Sequence, residues 1–121
     1  KLNPNNADYY NNRGDSRHFL GDYQGAIEDY NLAIKLNPNF ADYYRNRGNS
    51  RHFLGDYQGA IEDYNLAIKL NPNDANYYYN RGISRNWLTN YQGAIEDLTK
   101  PLNLIQIMLI TTIVGEFLGT V

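Results

Sequence analysis

The feature that most constrains this chain is a nearly exact internal repeat of 34 residues. Residues 7–40 recur at 41–74 with only three changes, and a third copy begins at Ala75 and holds register to Lys100. A fixed period of this length is typical of solenoid proteins, in which each unit packs mainly on its neighbours. The sequence therefore predicts a stack of similar units.

Each unit contains two predicted helices. In the first unit they span residues 7–20 and 23–36, with Asn5 or Asn6 as the N-cap of the first helix. Apolar residues in the second helix recur at helical spacing, and Pro38 ends it. One such pair cannot bury its own apolar face, so we expect neighbouring units to supply the core.

Small and aromatic residues recur at fixed positions of the 34-residue unit. Gly14 and Ala26 are expected to let the two helices approach closely, while the rings of Tyr10 and Tyr30 fill the remaining space. The pattern resembles that of the tetratricopeptide repeat (TPR) family, with a large aromatic residue, Leu-Gly, a second aromatic, Ala, an aromatic and Pro. The matching residues are Tyr10, Gly14, Ala26, Tyr30 and Pro38, and then Tyr44, Gly48, Ala60, Tyr64 and Pro72.

This resemblance implies an all-α fold, a TPR-like right-handed α-solenoid of antiparallel helix pairs. It covers about residues 1–100 and is similar in style to the Tyr- and Asn-rich arrays common in photosynthetic bacteria. The predicted division is the end of a preceding repeat at 1–6, three TPR units at 7–40, 41–74 and 75–104, and an aberrant apolar tail at 105–121.

The tail departs from the repeat at Pro101, which is expected to break the second helix of the third unit. If the codons of residues 105–121 are read in a frame that begins one nucleotide earlier, they can encode a string that matches residues 71–86 at fourteen of sixteen places. We therefore interpret the tail as a frameshifted fourth repeat. An apolar capping segment and a membrane anchor remain alternatives, although the uncharged run is short for a membrane span.

Arginines depart from the family pattern at two positions of every first helix, where the family usually has Leu and Tyr. An aspartate recurs on every second helix, and we expect ion pairs between the paired helices. The alternative is a basic strip for an acidic ligand. The arginines are Arg13, Arg17, Arg47, Arg51, Arg81 and Arg85, and the aspartates are Asp29, Asp63 and Asp97.

Differences between the units concentrate on one face of the first helix, at spacings of three and four residues. We interpret this stripe as having no packing role, so that it faces solvent or a ligand. In the family the resemblance implies, such a stripe lines a concave groove that holds a peptide or a partner helix. Neutral drift on an exposed face is the alternative. The candidate partner-binding residues are Asp8, Asn11, Asp15, His18, Asp42, Arg45, Asn49, His52, Asn76, Tyr79, Asn80, Ile83 and Asn86.

One known use of such grooves is a clamp for the carboxylates of a peptide C-terminus. Arg45, Asn49 and Asn80 match its first three elements, but its two remaining basic residues would come from a fourth repeat. His18 and His52 lie one repeat apart without the further ligands that a metal site needs. The clamp is therefore incomplete, and we predict no metal and no cofactor.

The net charge of the chain and its motifs limit the functions that it can have. A net charge of −2 and a pI near 5.6 argue against nucleic-acid binding and against an anionic membrane as the partner. We find no catalytic motif and predict no enzyme activity. The sequence predicts a scaffold that binds a protein or peptide, with the cytoplasm as the favoured location. The alternative is a structural spacer or self-associating array without a peptide ligand.

Overall fold

The computed structural model describes residues 5–100, 109 and 112–116. Within 5–100 the chain forms six α-helices, which confirms the predicted all-α solenoid of helix pairs. The predicted break at Pro101 and most of the interpreted frameshift at 105–121 lie outside the described residues. The helices are α1 (Ala7–Phe19), α2 (Tyr23–Leu36), α3 (Ala41–Phe53), α4 (Tyr57–Leu70), α5 (Ala75–Trp87) and α6 (Tyr91–Thr99).

Polar side chains cap the N-termini of all of these helices except α3. Asn6 caps α1 by accepting a hydrogen bond from the backbone N–H of Asp8, so of the two predicted caps Asn6 is the one used. Asp22 caps α2 in the same way, and Asp56 and Asn90 are its counterparts at α4 and α6. The α3 helix begins after Phe40, whose side chain makes no such bond.

Each helix packs on the next one along the chain, and close approach within a pair depends on glycine. Gly14 and Ala26 are buried as predicted, and a Cβ atom on Gly14 would lie 2.7 Å from the ring of Tyr30. The predicted role of Tyr10 as a core ring needs correction, because Tyr10 is only half-buried. In the second and third units the preceding tyrosine of the pair is buried instead, as Tyr43 and Tyr77.

The predicted ion pairs between helices are present in all three units. Asp29 is buried and accepts hydrogen bonds from Nε and Nη2 of Arg13 at 3.0 and 2.7 Å, and from Nη1 of Arg17 at 3.1 Å. Asp63 and Asp97 are held in the same way by the arginines of their own units. The hydrogen bond to Asp29 raises the pKa of Arg13. These arginines therefore hold the paired helices together.

No helix in the described part of the chain is long and apolar enough to cross a bilayer.

Candidate functional site

The predicted stripe lies on α1, α3 and α5, where two adjoining clefts open between the helices. The cleft between α1 and α3 has a volume of about 200 Å³, and the cleft between α3 and α5 has about 270 Å³. Asn49 lines both clefts, so they lie side by side, and we call the two together the groove. Eight of the thirteen candidate residues line it, namely Asp15, His18, Arg45, Asn49, His52, Tyr79, Asn80 and Ile83.

Buried tyrosines donate hydrogen bonds to residues of this stripe. The hydroxyl of Tyr30 donates to Oδ1 of Asp15 at 2.6 Å, and that of Tyr43 donates to Oδ1 of Asp8 at 2.6 Å. Burial and the bond to Asp8 raise the pKa of Tyr43 to about 12. The interpretation of the stripe as free of packing duty is therefore wrong for these residues, since they satisfy buried hydroxyl groups.

The same bonds recur in the second unit. The Tyr64 hydroxyl donates to Asn49, and the Tyr77 hydroxyl donates to Asp42, each at 2.6 Å. Because Asp15 and Asn49 occupy equivalent positions, either an aspartate or an asparagine can accept the tyrosine hydroxyl. The variation at this position therefore changes the charge of the groove without removing the hydrogen bond.

The third unit explains why this position varies so widely. Leu98 stands where the earlier units have Tyr30 and Tyr64, and Ile83 stands where they have Asp15 and Asn49. A leucine has no hydroxyl group to satisfy, so no acceptor is required on the first helix. The two positions differ together in the third unit, as expected if a buried donor and its acceptor are needed as a pair.

Two histidines join consecutive units at the groove. Nδ1 of His18 is hydrogen-bonded to Oγ of Ser50 at 2.8 Å, and Nδ1 of His52 to Oγ of Ser84 at 2.9 Å. Both serines are fully buried. Burial lowers the pKa of both imidazoles, and the carboxylate of Asp15 partly opposes this for His18. The two rings therefore connect units as well as lining the groove.

The remaining stripe residues have simpler surroundings. The side-chain amide of Asn46 donates to Oδ1 of Asn11 at 2.9 Å, which links α1 to α3. Nε of Arg45 lies 3.4 Å from Oδ1 of Asp42 on the same helix and makes no hydrogen bond within the described part of the chain. Asn76 begins the stripe on α5, and its side chain is exposed. Asn86 stands on α5 where the earlier units have histidine, and it is exposed as well.

Three exposed aromatic residues that the sequence reasoning missed border the groove. Phe19, Phe53 and Trp87 end the first helices of the three units, and Phe19 and Phe53 line the two clefts. The ring of Phe53 stacks on Tyr23 of the preceding unit at 5.5 Å, and Trp87 stacks on Tyr57 at 5.6 Å. Unit-to-unit variation could not reveal them because an aromatic residue recurs in every unit.

The three residues that match the carboxylate clamp lie along the groove. Arg45 and Asn49 line the cleft between α1 and α3, while Asn49 and Asn80 line the cleft between α3 and α5. Asn49 accepts the Tyr64 hydroxyl through its side-chain oxygen. Ligand binding by these residues stays a prediction.

Comparisons with protein families and solved structures agree with the helical-repeat fold. A family model described as TPR repeat matches residues 14–55 and 48–84. MamA is similar in structure at 26% identity, with a TM-score of 0.78, over 83% of this chain and 58% of MamA. The second TPR of Spaghetti (RPAP3), bound to the HSP90 peptide SRMEEVD, matches at 27% identity and a TM-score of 0.73 over 75% of this chain and 84% of that domain.

The TPR domain of Arabidopsis OM64 gives a TM-score of 0.74 at 26% identity, over 84% of this chain and 88% of that one. This chain therefore spans most of some related domains but little more than half of MamA. A search of curated protein sequences gave no significant match.

Proposed function

Because the chain belongs to the tetratricopeptide repeat family, we propose that this protein-interaction scaffold binds a peptide or a partner helix across α1, α3 and α5. The observation that carries the proposal is the groove formed by the two adjoining clefts, which share Asn49. Proteins of this family generally act as interaction scaffolds without catalytic activity. Similar domains support the proposal, since Spaghetti (RPAP3) binds an HSP90 peptide and yeast Sti1 binds pHSP90.

The groove offers different contacts to a ligand in its two clefts. The cleft between α1 and α3 presents polar groups, including Asp15, Arg45 and Asn46. The cleft between α3 and α5 presents Phe53, Tyr79 and other apolar side chains with a few polar groups, a combination typical of ligand pockets. An extended or helical segment that crosses all three first helices would contact both clefts.

The proposal can be tested with peptides selected from a displayed random library, their affinities then being measured by calorimetry. We expect Tyr79→Ala to weaken binding of the selected peptides strongly while the helical circular dichroism signal is unchanged. The matched control is Leu66→Ala, which removes an exposed apolar side chain from the surface of α4. Equal losses in the two variants would contradict the assignment of the groove.

One observation favours the self-associating array as a second candidate. Ile27 and Ile61 are 7% and 8% exposed because the following unit covers them, whereas the equivalent Ile95 on α6 is 59% exposed. A second copy stacking on α6 would cover this surface. Light scattering over a range of concentrations tests the idea, and Ile95→Glu is expected to keep the chain monomeric if α6 is the contact.

A further inference from the structure

We infer that the groove selects a segment with basic residues along one side and apolar residues along the other, and that it disfavours acidic segments. This inference rests on the proposed function and adds the chemistry of the ligand. It follows from the unequal distribution of charge and aromatic rings across the three first helices.

Two carboxylates lie on the groove face where the first helices begin, and a third lies within the groove. Asp8 and Asp42 lie in the first turns of α1 and α3, whereas Asp15, the ninth of the thirteen residues of α1, lines the cleft between α1 and α3. Each of the three accepts a tyrosine hydroxyl through Oδ1 at 2.6 Å, which fixes the carboxylate in place. No hydrogen bond within the described residues uses Oδ2 of any of them, so each can accept one from a lysine or arginine.

Positive charge does not balance these carboxylates. Arg45 is the only lysine or arginine among the thirteen candidate residues, and its Nε already lies 3.4 Å from Oδ1 of Asp42. The stripe on α5 carries no charge, since it consists of Asn76, Tyr79, Asn80, Ile83 and Asn86. The net negative potential is therefore concentrated over the first two units, where it favours basic side chains of a partner.

Apolar surface lies on the opposite side, where the first helices end. Phe19, Phe53 and Trp87 stand there at intervals of one repeat, and all three are exposed. Beside them, Tyr79 and Ile83 help to line the cleft of about 270 Å³ between α3 and α5. A segment lying along the groove therefore meets the carboxylates of Asp8 and Asp42 on one flank, that of Asp15 within the groove, and aromatic rings on the other flank.

This charge pattern opposes the kind of peptide that one similar domain binds. The HSP90 peptide SRMEEVD, bound to the second TPR of Spaghetti (RPAP3), has three acidic side chains in its last four positions. In the present groove such a peptide would bring like charges toward Asp8, Asp15 and Asp42, which is unfavourable.

The repeats themselves supply variants that change charge and little else. Asp15→Asn copies Asn49, whose amide oxygen already accepts the Tyr64 hydroxyl at 2.6 Å. Asp42→Asn copies Asn76 at the equivalent position of the third unit. In both variants an amide oxygen replaces the carboxylate oxygen that accepts the tyrosine hydroxyl, so we expect the fold to be retained.

The test uses two synthetic peptides with leucines at identical helical spacing, one with lysine and the other with glutamate at the remaining positions. Calorimetry on the 121-residue chain measures Kd at low and high salt. We expect the lysine peptide to bind more tightly, each Asp→Asn change to weaken it about threefold at low salt, and the double variant to weaken it about tenfold. Tyr79→Ala should also weaken binding of the lysine peptide, because it removes apolar contact.

A matched control separates the groove from the overall charge of the chain. Glu28→Gln combined with Glu62→Gln removes the same charge from exposed positions of α2 and α4, and it should leave Kd unchanged. The inference is overturned if this control weakens binding as much as the Asp15 and Asp42 double variant, or if neither peptide binds. Tighter binding of the glutamate peptide, weakened by Tyr79→Ala, would show that the groove binds peptides but that its charge preference is wrong.

Discussion

The second and third units share the same helix pair but differ in what lies between the two helices. In the second unit the ring of Tyr64 would lie 2.7 Å from a Cβ atom on Gly48, and its hydroxyl reaches Asn49. In the third unit Leu98 replaces the tyrosine, and Ile83 replaces the acceptor. The comparison shows that a groove position can vary because its buried partner varies, and not only because ligands differ.

The third unit also differs in the turn after its first helix, where a threonine replaces the glycine of the other two units. Gly21 and Gly55 end the first two units' first helices with φ of +86°, a conformation that suits glycine. Thr89 occupies the same place in the third unit with φ of +63°, where a β-branched residue is strained. The third unit is therefore expected to be the least stable of the three.

We expect the largest loss of stability from a change in the buried ion pairs, which all three units share. Asp63→Ala removes a buried carboxylate that two arginines bind, and we expect a loss of about 3 kcal/mol in the free energy of unfolding. Urea denaturation followed by circular dichroism measures it. Asp97→Ala provides the comparison and should cost less, because the third unit, with its strained Thr89, is expected to contribute least to the stability of the fold. A larger loss at Asp97 would contradict the ranking of the units.

Relief of backbone strain should give the next largest effect. Thr89→Gly is expected to raise the free energy of unfolding by about 1 to 2 kcal/mol, because glycine adopts a positive φ without steric cost. Thermal denaturation measures the gain. The reverse change in the second unit, Gly55→Thr, should lower stability by a similar amount, and a neutral result in both would show that the turn conformation is not limiting.

The pairing of a buried tyrosine with its hydrogen-bond acceptor can be tested by giving the second unit the residues of the third. Tyr64→Phe should destabilise the chain by about 1 kcal/mol, because it removes the hydrogen bond to Asn49. Asn49→Ile should cost more in the presence of Tyr64 than in the presence of Leu at position 64, since only the tyrosine needs an acceptor. A double-mutant cycle measures this coupling, and additive costs would show that the two positions vary independently.

The smallest effect that we expect is a dependence of stability on pH through the two histidines. Burial lowers the pKa of His18 and His52 in the folded chain, so the unfolded chain binds protons more readily. Stability should therefore be highest above the ordinary histidine pKa of about 6.5 and fall as the pH drops toward the lowered values. Replacing both histidines with asparagine, as the third unit has at Asn86, should flatten this dependence in urea denaturation between neutral and mildly acidic pH. An unchanged slope would contradict the assignment to these residues.

Much of the architecture was predictable because it depends on local patterns. The helix pairs, the close contact at Gly14 and the pairing of the arginines with Asp29 follow from residues that recur in every unit. The role of Tyr43 was not predictable in the same way, because each unit has at least two consecutive tyrosines and only packing against the preceding unit determines which one is buried.

The sequence by itself determined the repeat, the helix pairs, the invariant ion pairs and the face that carries most of the variation. Only the tertiary structure decided which of the variable residues serve the fold. Asp15 and Asn49 looked like surface positions, yet each accepts a hydrogen bond from a buried hydroxyl fifteen residues away on the paired helix. The physical reason is that helical spacing shows which residues share a face, whereas hydrogen-bond partners and the rings that border a groove depend on how separate helices pack.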